Sequence, residues 1–281
     1  CSRLKGGTLQ STVLAERHER AFRMQSSDRH HLRHIWCLIA FAVCTILRFG
    51  LHPRAYACPA IAAVNRYFSI DKYAQRRMLA RDAALKNSGK TTVDGIPLAG
   101  DDMVYGEIDL EFFAQLLQAA GPKEGDNFFD VGSGVGRVVM AAALIEPTLA
   151  NCCGLELLSN LHAEAEEAHL RMKYAPLVKA NVEFACIDAF SSMANDMLGM
   201  ADIVFSYSVT WARNDKEQLT ELSHLFATAL RPGTRIITVD VTLLPQVGHT
   251  RFDCIAIIKG YNRETGGDTN GYVFVVSKSD A

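Results

Sequence analysis

The sequence predicts an α/β protein whose Rossmann-like sheet has five parallel strands and ends in a C-terminal antiparallel hairpin. From residue 109 onwards, amphipathic stretches with a helical period alternate with short apolar stretches of strand length, the pattern of a doubly wound sheet. A turn with three glycines directly follows the first apolar stretch. Near the end of the chain, two apolar stretches are joined by a Gly/Asn/Asp-rich turn without a helix, so they are expected to pair antiparallel.

The individual elements follow from apolar spacing and from the residues that end them. Helices are predicted over 109–120, 136–145, 159–173 and 215–230, and the cluster Arg231-Pro232-Gly233 ends the last of them. Parallel strands are predicted over 127–131, 152–156, 182–187, 201–205 and 235–239, and hairpin strands over 252–258 and 271–277. This is the layout of class I methyltransferases, because a dinucleotide-binding fold would continue with a second strand–helix–strand half.

We place this domain at 101–281 and predict three different segments before it. Residues 1–34 are polar and basic without an apolar period, and they are predicted to be disordered. Residues 35–57 form an apolar leader or signal-like segment. Residues 58–100 comprise a basic helix over 67–85 followed by a linker that contains Gly, Ser, Thr and Pro.

The apolar segment 35–57 has the features of a signal peptide. Its apolar core of 13 residues, 35–47, is too short to span a bilayer, which takes about 20 residues. Basic residues precede this core, and Ala55-Tyr56-Ala57 matches an A-x-A cleavage site. A cleaved leader would direct the protein to the secretory route or an organelle. A buried helix, a membrane-surface helix and a mistranslated leader are the alternatives.

Charge is distributed unevenly along the chain. Residues 1–90 hold 16 Lys and Arg against 5 Asp and Glu, whereas residues 91–281 hold 13 against 26. The acidic part is expected to repel nucleic acid and to attract a basic partner, so nucleic acid is expected to contact only the basic N-terminal segment, if any part of the chain. The eight cysteines show neither CxxC nor zinc-finger spacing, and no metal site is predicted.

The glycine turn after the first predicted strand indicates a nucleoside cofactor. Gly132, Gly134 and Gly136 allow the backbone to turn sharply and to approach a ligand closely, and the following helix offers free N–H groups. Dinucleotide enzymes use a G-x-G-x-x-G spacing at this place. The G-x-G-x-G spacing here is typical of S-adenosyl-L-methionine sites instead.

Acidic and aromatic residues at the ends of the next two strands strengthen this interpretation. Glu156 ends the second predicted strand, where a carboxylate can accept both ribose hydroxyls. Asp188 ends the third, and it can accept from the adenine amino group while Phe190 beside it supplies an aromatic wall. Features at three strand ends in register predict an S-adenosyl-L-methionine site between about Tyr105 and Phe190.

The sequence over 104–245 resembles the disruptor-of-telomeric-silencing family, the non-SET lysine methyltransferases of histone H3. The resemblance rests on Val104-Tyr105-Gly106-Glu107 before an amphipathic helix, on 128–143 around the glycine turn and on 152–165. It implies that Tyr105 and Glu107 belong to a loop that closes over the methionine part of the cofactor. It also implies that Glu156 holds the ribose, that Asp188 and Phe190 hold the adenine, and that the cofactor is lined by Asp130, Gly132, Gly134 and Gly136.

The resemblance breaks after the fourth predicted strand. There the family has an Asn-Asn-Phe-Ala-Phe stretch beside the transferable methyl group, whereas this chain has Tyr207-Ser208-Val209-Thr210-Trp211. Tyr207 therefore replaces an asparagine that the family uses near its lysine channel. We expect Tyr207 to position an acceptor amine and Trp211 to form a wall of the channel, with core packing as the alternative for Trp211.

Several functions remain open from the sequence. The resemblance implies a protein-lysine N-methyltransferase with a basic protein substrate, namely histone H3 in the nucleosome, and a nuclear location. The signal-like segment and Tyr207 favour a methyltransferase of a non-histone protein or a small molecule in an organelle. A catalytically silent cofactor-binding module is a further possibility, opposed by the intact glycine turn, Glu156 and Asp188. An NAD-linked oxidoreductase is opposed by the glycine spacing and the terminal hairpin.

Overall fold

The computed structural model describes residues 54–68, 72–87, 104–172, 179–211, 213–262 and 265–278. The predicted disordered segment 1–34, nearly all of the signal-like segment 35–57 and most of the linker lie outside the described residues. Within the described residues, no helix is long and apolar enough to cross a membrane.

The strands build the predicted sheet. In chain order, they are β1 (Asn127–Val131), β2 (Asn151–Glu156), β3 (Asn181–Cys186), β4 (Ile203–Ser206), β5 (Gln218–Leu219), β6 (Arg235–Val239), β7 (Thr242–Leu243), β8 (Gln246–Val247), β9 (Thr250–Asn262) and β10 (Gly267–Lys278). Among the described residues, eight strands form one sheet in the order β3-β2-β1-β4-β6-β10-β9-β8, and β5 pairs with β7. The first five in this order are parallel, and β10 and β9 form an antiparallel hairpin against β6. The predicted fold class is confirmed.

The helices cover both faces of the sheet. In the described part of the chain they are α1 (Arg54–Tyr67), α2 (Tyr73–Asn87), α3 (Leu110–Ala119), α4 (Arg137–Ile145), α5 (Ser159–Met172), α6 (Ser192–Leu198) and α7 (Thr220–Ala229). The Asp109 side chain caps α3 by accepting hydrogen bonds from two N–H groups of the first turn. Phe113 of α3 then packs edge-on against Phe128 of β1 and Phe205 of β4. These contacts pack α3 against β1 and β4.

The core has one cluster of buried side chains around Phe128 and another around Phe226. The segment 54–87 contributes Val64, Phe68 and Ala80 to the first cluster. The described helices that precede the predicted domain therefore share its core. The domain boundary at residue 100 stays a prediction.

The predicted helix 215–230 is wrong at its start. The Asn214 side chain accepts hydrogen bonds from the N–H groups of Lys216 and Gln218, and Glu217 has a left-handed φ of 56°. This tight turn leads into β5, so α7 begins only at Thr220.

Three other elements differ from the prediction. The predicted helix 67–85 corresponds to α2, which begins only at Tyr73, and α1, which ends at Tyr67, was not predicted. Helix α6 was missed. The hairpin strands extend beyond their apolar residues to Asn262 and from Gly267, since ladder hydrogen bonds join backbone groups and need no apolar side chains.

Candidate active site

A cleft opens at the carboxyl ends of β1 to β4, and every predicted site residue except Gly136 lines it. The order β3-β2-β1-β4 reverses its direction in the sequence between β1 and β4, and in open α/β sheets such a reversal creates a crevice at this edge. Residues 104–108, which precede α3 and which we call the strap, form another side of the cleft.

The glycine turn after β1 brings backbone instead of side chains to the cleft. Gly132 and Gly134 have φ values of 80° and 55°, which glycine adopts readily. The N–H groups of Gly132 and Ser133 donate to the Leu155 carbonyl at 2.9 and 3.0 Å, and this ties the turn to β2. A Cβ atom on Gly134 would lie 2.6 Å from the Tyr105 ring, so the turn has no room for a side chain beneath the strap.

Gly136 is the one predicted site residue that is not among the residues lining this cleft. It lies at the N-terminal boundary of α4 with a φ of 77°. A Cβ atom there would lie 2.5 Å from the Phe184 ring of β3 and 3.1 Å from Ala165 of α5. The third glycine of the motif therefore allows close packing around the start of α4, and its role as a cofactor-lining residue stays a prediction.

Glu156, at the end of β2, is 7% exposed and is held by two backbone N–H groups. Gly134 donates to its Oε2 and Leu158 to its Oε1, both at 2.7 Å. Burial raises the pKa of this carboxyl above its usual range, although the N–H donors offset part of the shift. Each carboxylate oxygen keeps acceptor capacity, so Glu156 can still accept hydrogen bonds from two hydroxyl groups of a ligand.

Asp130 of β1 places a second buried acid near Glu156. It is 2% exposed, and no group among the described residues donates a hydrogen bond to its carboxylate. Burial and the Glu156 carboxylate raise the pKa of Asp130 well above its usual range. A positively charged group of a ligand would compensate these two acids, and the cleft is therefore suited to a cation.

Aromatic side chains line the cleft after β3. The Asp188 carboxylate accepts a hydrogen bond from the Phe190 N–H at 2.9 Å, which shapes the loop. The rings of Phe190 and Trp211 lie 5.8 Å apart between centroids. Trp211 also approaches the glycine turn, because its ring lies 3.5 Å from where a Cβ atom on Gly132 would stand.

The strap is fixed by hydrogen bonds and ion pairs to Glu107. The Tyr105 hydroxyl donates to Glu107 Oε1 at 2.8 Å, and burial together with this carboxylate raises the pKa of Tyr105 well above its usual value. Arg76 donates to the same oxygen at 2.9 Å, and Arg137 Nε lies 3.7 Å from the other oxygen. Glu107 thereby holds the Tyr105 ring over the glycine turn.

The residues after β4 form the opposite end of the cleft. Tyr207 is half-buried, and its hydroxyl accepts a hydrogen bond from Asn262 Nδ2 of β9 at 3.3 Å. Tyr207 packs against the first core cluster, whereas Trp211 packs against the second. The two candidates thus line one cleft, and Trp211 stands beside Phe190.

Among the lining residues that sequence reasoning missed, three have polar side chains, Ser133, Arg137 and Glu221. Ser133 and Arg137 lie within and directly after the glycine turn, so their position in the motif was the available signal. Glu221 is in the first turn of α7, and the misplaced start of that helix concealed it. Among the described residues, no three His, Cys, Asp or Glu side chains are grouped to hold a metal ion.

The cleft fits S-adenosyl-L-methionine, which carries an adenine ring, two ribose hydroxyls, an ammonium group and a sulfonium. Glu156 offers buried acceptors for the hydroxyls, Asp130 adds negative charge for the cationic groups, and Phe190 offers an apolar wall. The Ser133 Oγ is buried against Gly154 of β2 and has no hydrogen-bond partner within the described residues. Fold and site together define a protein of the class I methyltransferase type.

The chain belongs to a particular family within this class. The family described as "Histone methylation protein DOT1" matches residues 98–258, which is more than half of the chain. The resemblance to the histone H3 lysine methyltransferases is therefore confirmed.

The match to an individual relative covers only part of this chain and only part of the relative. The histone-lysine N-methyltransferase, H3 lysine-79 specific, of Eremothecium gossypii is 28% identical over 144 residues, which are 49% of this chain and 24% of that protein. The chain thus spans about a quarter of that relative's length.

Among solved structures, similar folds include the YcgJ protein of Bacillus subtilis, with 11% identity and a TM-score of 0.45. The match covers 62% of this chain and 100% of that chain. Another is a SAM-dependent methyltransferase of Thiobacillus denitrificans in complex with S-adenosyl-L-homocysteine, with 15% identity, a TM-score of 0.42 and coverage of 62% and 94%. Both TM-scores are low, so the assignment of the fold rests on the strand order itself.

Proposed function

We propose that this chain is an S-adenosyl-L-methionine-dependent protein-lysine N-methyltransferase that acts on histone H3 in the nucleosome. The observation that carries the proposal is that the strap, the glycine turn, Asp130 and Glu156 converge on one cleft in a member of the histone methylation family. The specificity of the Eremothecium gossypii relative for H3 lysine-79 supports the choice of acceptor.

The β1 to β3 end of the cleft would hold the cofactor. Glu156 would accept hydrogen bonds from the ribose hydroxyls, Asp188 and Phe190 would hold the adenine, and Asp130 would compensate positive charge. When bound, S-adenosyl-L-methionine supplies a methyl group that its sulfonium makes electrophilic. The strap and the glycine turn would exclude water from this end of the cleft.

The β4 end would receive the acceptor amine. A lysine side chain has a pKa of about 10.4, so its amine must lose a proton before it can act as a nucleophile. The Tyr207 hydroxyl would position that amine, and the hydrogen bond from Asn262 holds the hydroxyl in place. Trp211 would exclude water beside the glycine turn. Alignment of the amine and exclusion of water are the main demands of methyl transfer on the protein.

Charge supports a basic protein as the partner. The acidic excess of residues 91–281 attracts basic proteins, and the basic excess of residues 1–90 can contact nucleosomal DNA. A nucleosomal substrate places the protein in the nucleus. The signal-like segment 35–57 is the observation that favours the secretory route or an organelle.

Transfer of a labelled methyl group tests the proposal directly. The full chain would be incubated with methyl-labelled S-adenosyl-L-methionine and, in parallel, with nucleosomes, free histones and an organelle extract. We expect label on a lysine of H3 in nucleosomes, located by mass spectrometry. The Gly134→Arg variant serves as the negative control, because it blocks the cofactor end of the cleft.

A second candidate is a methyltransferase of a non-histone protein or a small molecule. The observation that favours it is Tyr207, which stands where the family has an asparagine. Label confined to the organelle extract would establish this candidate and contradict histone methylation. Cofactor binding without label on any acceptor would favour the catalytically silent module.

A further inference from the structure

Arg76 is buried, although it lies in the helix that the sequence predicts to be basic. Its side chain is 1% exposed. The Nη1 group donates to Glu107 Oε1 of the strap at 2.9 Å, and the Nε group donates to Glu164 Oε1 of α5 at 2.8 Å. One guanidinium therefore joins α2 to both the strap and α5.

A second residue of α2 reaches the strap independently. The Tyr73 ring lies 6.2 Å from the Tyr105 ring between centroids. Tyr105 in turn donates its hydroxyl hydrogen to the same Glu107 oxygen that accepts from Arg76. The Tyr105 ring covers Gly134. A shift of α2 would therefore move this ring and change the space above the glycine turn.

Helix α1 is connected to the same region through Arg137. Its Nη1 donates to the Ile108 carbonyl at the end of the strap at 2.6 Å, and its Nη2 donates to Asn65 Oδ1 of α1 at 3.3 Å. Both helices precede residue 98, where the match to the family begins. The segment that contacts the strap thus lies outside the matched region.

Removing Arg76 would take a charged hydrogen bond from the buried Glu107. Glu107 is 11% exposed, and Arg137 Nε lies 3.7 Å from its other oxygen. A buried carboxylate that loses such a charged donor shifts toward its other partners. Tyr105 would then lose the oriented acceptor of its hydroxyl.

We infer that Arg76 is a positioning residue for S-adenosyl-L-methionine and that helix α2 supports the cofactor site from outside the cleft, through the contacts of Arg76 with Glu107 and of Tyr73 with Tyr105. This inference rests on the proposed function. It extends the functional unit beyond the domain predicted at 101–281.

The test compares Arg76→Gln and Arg76→Lys with two matched controls. Glu164→Gln removes the charge that Arg76 meets on α5 but keeps the contact of Arg76 with Glu107, and Arg81→Gln removes an exposed charge from the same helix. The first readout is amide hydrogen exchange of residues 104–108 in protein without cofactor. The second is the Kd of S-adenosyl-L-homocysteine by calorimetry, and the third is the split between kcat and the KM of S-adenosyl-L-methionine.

We expect Arg76→Gln to accelerate exchange in the strap and to raise the Kd by about tenfold or more, since it leaves a buried carboxylate without its closest charged partner. The KM of the cofactor should rise with little change in kcat at saturation. Arg76→Lys should recover part of the affinity, because an ammonium keeps the charge but not the planar fork. Each control should change the Kd by less than about twofold.

Two outcomes would overturn the inference. One is an unchanged rate of amide hydrogen exchange in the strap together with an unchanged Kd in folded Arg76→Gln. If Arg76→Gln does not fold, the same result in Arg76→Lys overturns the inference. The other is a loss of affinity in Glu164→Gln equal to that in Arg76→Gln, because Arg76 would then act only through the docking of α2 on α5. If the parent protein binds no S-adenosyl-L-homocysteine, the proposed function fails, whereas hydrogen exchange still reports separately whether Arg76 holds the strap.

Discussion

The two ends of the cleft differ in how far the protein itself fixes their polar groups. At the β1 to β3 end, Glu156 accepts hydrogen bonds from two backbone N–H groups, and Asp188 accepts one from Phe190. At the β4 end, the Tyr207 hydroxyl accepts a longer hydrogen bond, of 3.3 Å, from Asn262. Glu156 and Asp188 are therefore preorganised, whereas the Tyr207 hydroxyl is held by one weaker hydrogen bond.

This difference follows the resemblance to the family. The strap, the glycine turn and Glu156 match the family's motifs residue by residue, and they lie at the preorganised end. Tyr207 departs from the family, and it lies at the other end. Under the proposed function, the β1 to β3 end would hold the cofactor that is common to the family. The β4 end would determine which acceptor is methylated. The predictions below separate these two roles, beginning with the largest effect.

Gly134→Arg should abolish cofactor binding. The added side chain would meet the Tyr105 ring, since even a Cβ atom would lie 2.6 Å from it, and it would fill the space above the turn. We expect affinity for S-adenosyl-L-homocysteine to fall by more than about a hundredfold, while circular dichroism still shows a folded protein.

Gly248→Arg is the matched control, because Gly248 has a similar φ of 57° but open space around it. Its affinity should equal that of the parent. Turnover at the normal rate in Gly134→Arg would show that the glycine turn does not contact the cofactor.

Glu156→Ala should weaken cofactor binding by roughly tenfold or more, because losing a charged hydrogen-bond acceptor costs about 1.5–3 kcal/mol. The change also leaves the N–H groups of Gly134 and Leu158 without their acceptor. Calorimetry measures the effect, and Glu156→Gln, which keeps an acceptor of similar shape, should lose less. An affinity equal to that of the parent in Glu156→Ala would refute the assignment of this residue to the ribose.

Cofactor affinity should rise with pH because of Asp130. Burial and the Glu156 carboxylate raise the pKa of Asp130 in the folded protein above its unfolded value, so the folded state holds more protons. Without cofactor, stability therefore falls as the pH rises from the usual carboxyl range to the raised pKa. The positive groups of the cofactor favour the ionised carboxylate, so binding over that interval releases a proton.

Calorimetry in two buffers of different ionisation enthalpy measures this release. The affinity should increase by at most about tenfold per pH unit across the interval, which is the limit for one proton. Asp130→Asn should bind more weakly and with a flatter pH profile. The explanation is wrong if the parent shows the same affinity at every pH and no release of protons.

Tyr207→Phe should affect the acceptor end alone. Losing one hydrogen bond of about 1–1.5 kcal/mol should lower turnover by about tenfold and leave the Kd of S-adenosyl-L-homocysteine unchanged. Asn262→Ala should produce a smaller loss, because it removes the donor that holds the Tyr207 hydroxyl. Trp211→Ala should impair both the rate and the binding of the acceptor. Parent-like methylation by all three variants would place the acceptor elsewhere.

The sequence predicts the sheet and most of the cofactor end because their signals are local. Periodicity locates β1 to β4, and parallel strands bring their carboxyl ends to one edge, so Glu156 and Asp188 could be placed without any contact being known. The spacing of the glycines indicated the turn, but it could not show that Gly136 packs against Phe184, which lies far along the chain.

The remaining contacts join residues that are distant in sequence. Arg76 is 31 positions from Glu107 and 88 from Glu164, and Asn262 is 55 positions from Tyr207. Such pairs depend on how the helices and the hairpin pack. The composition indicated only that Arg76 belongs to a basic helix. The start of helix α7 was missed for another reason, because the deciding side-chain hydrogen bond of Asn214 is local but apolar spacing does not reveal it.

A crystal structure with S-adenosyl-L-homocysteine tests most directly the claim that one end of this cleft holds the cofactor and the other receives the acceptor. We expect the ribose hydroxyls on Glu156, the adenine beside Phe190, and the sulfur directed toward Tyr207. A ligand bound with its adenine toward Tyr207, or with its ribose away from Glu156, would contradict the account.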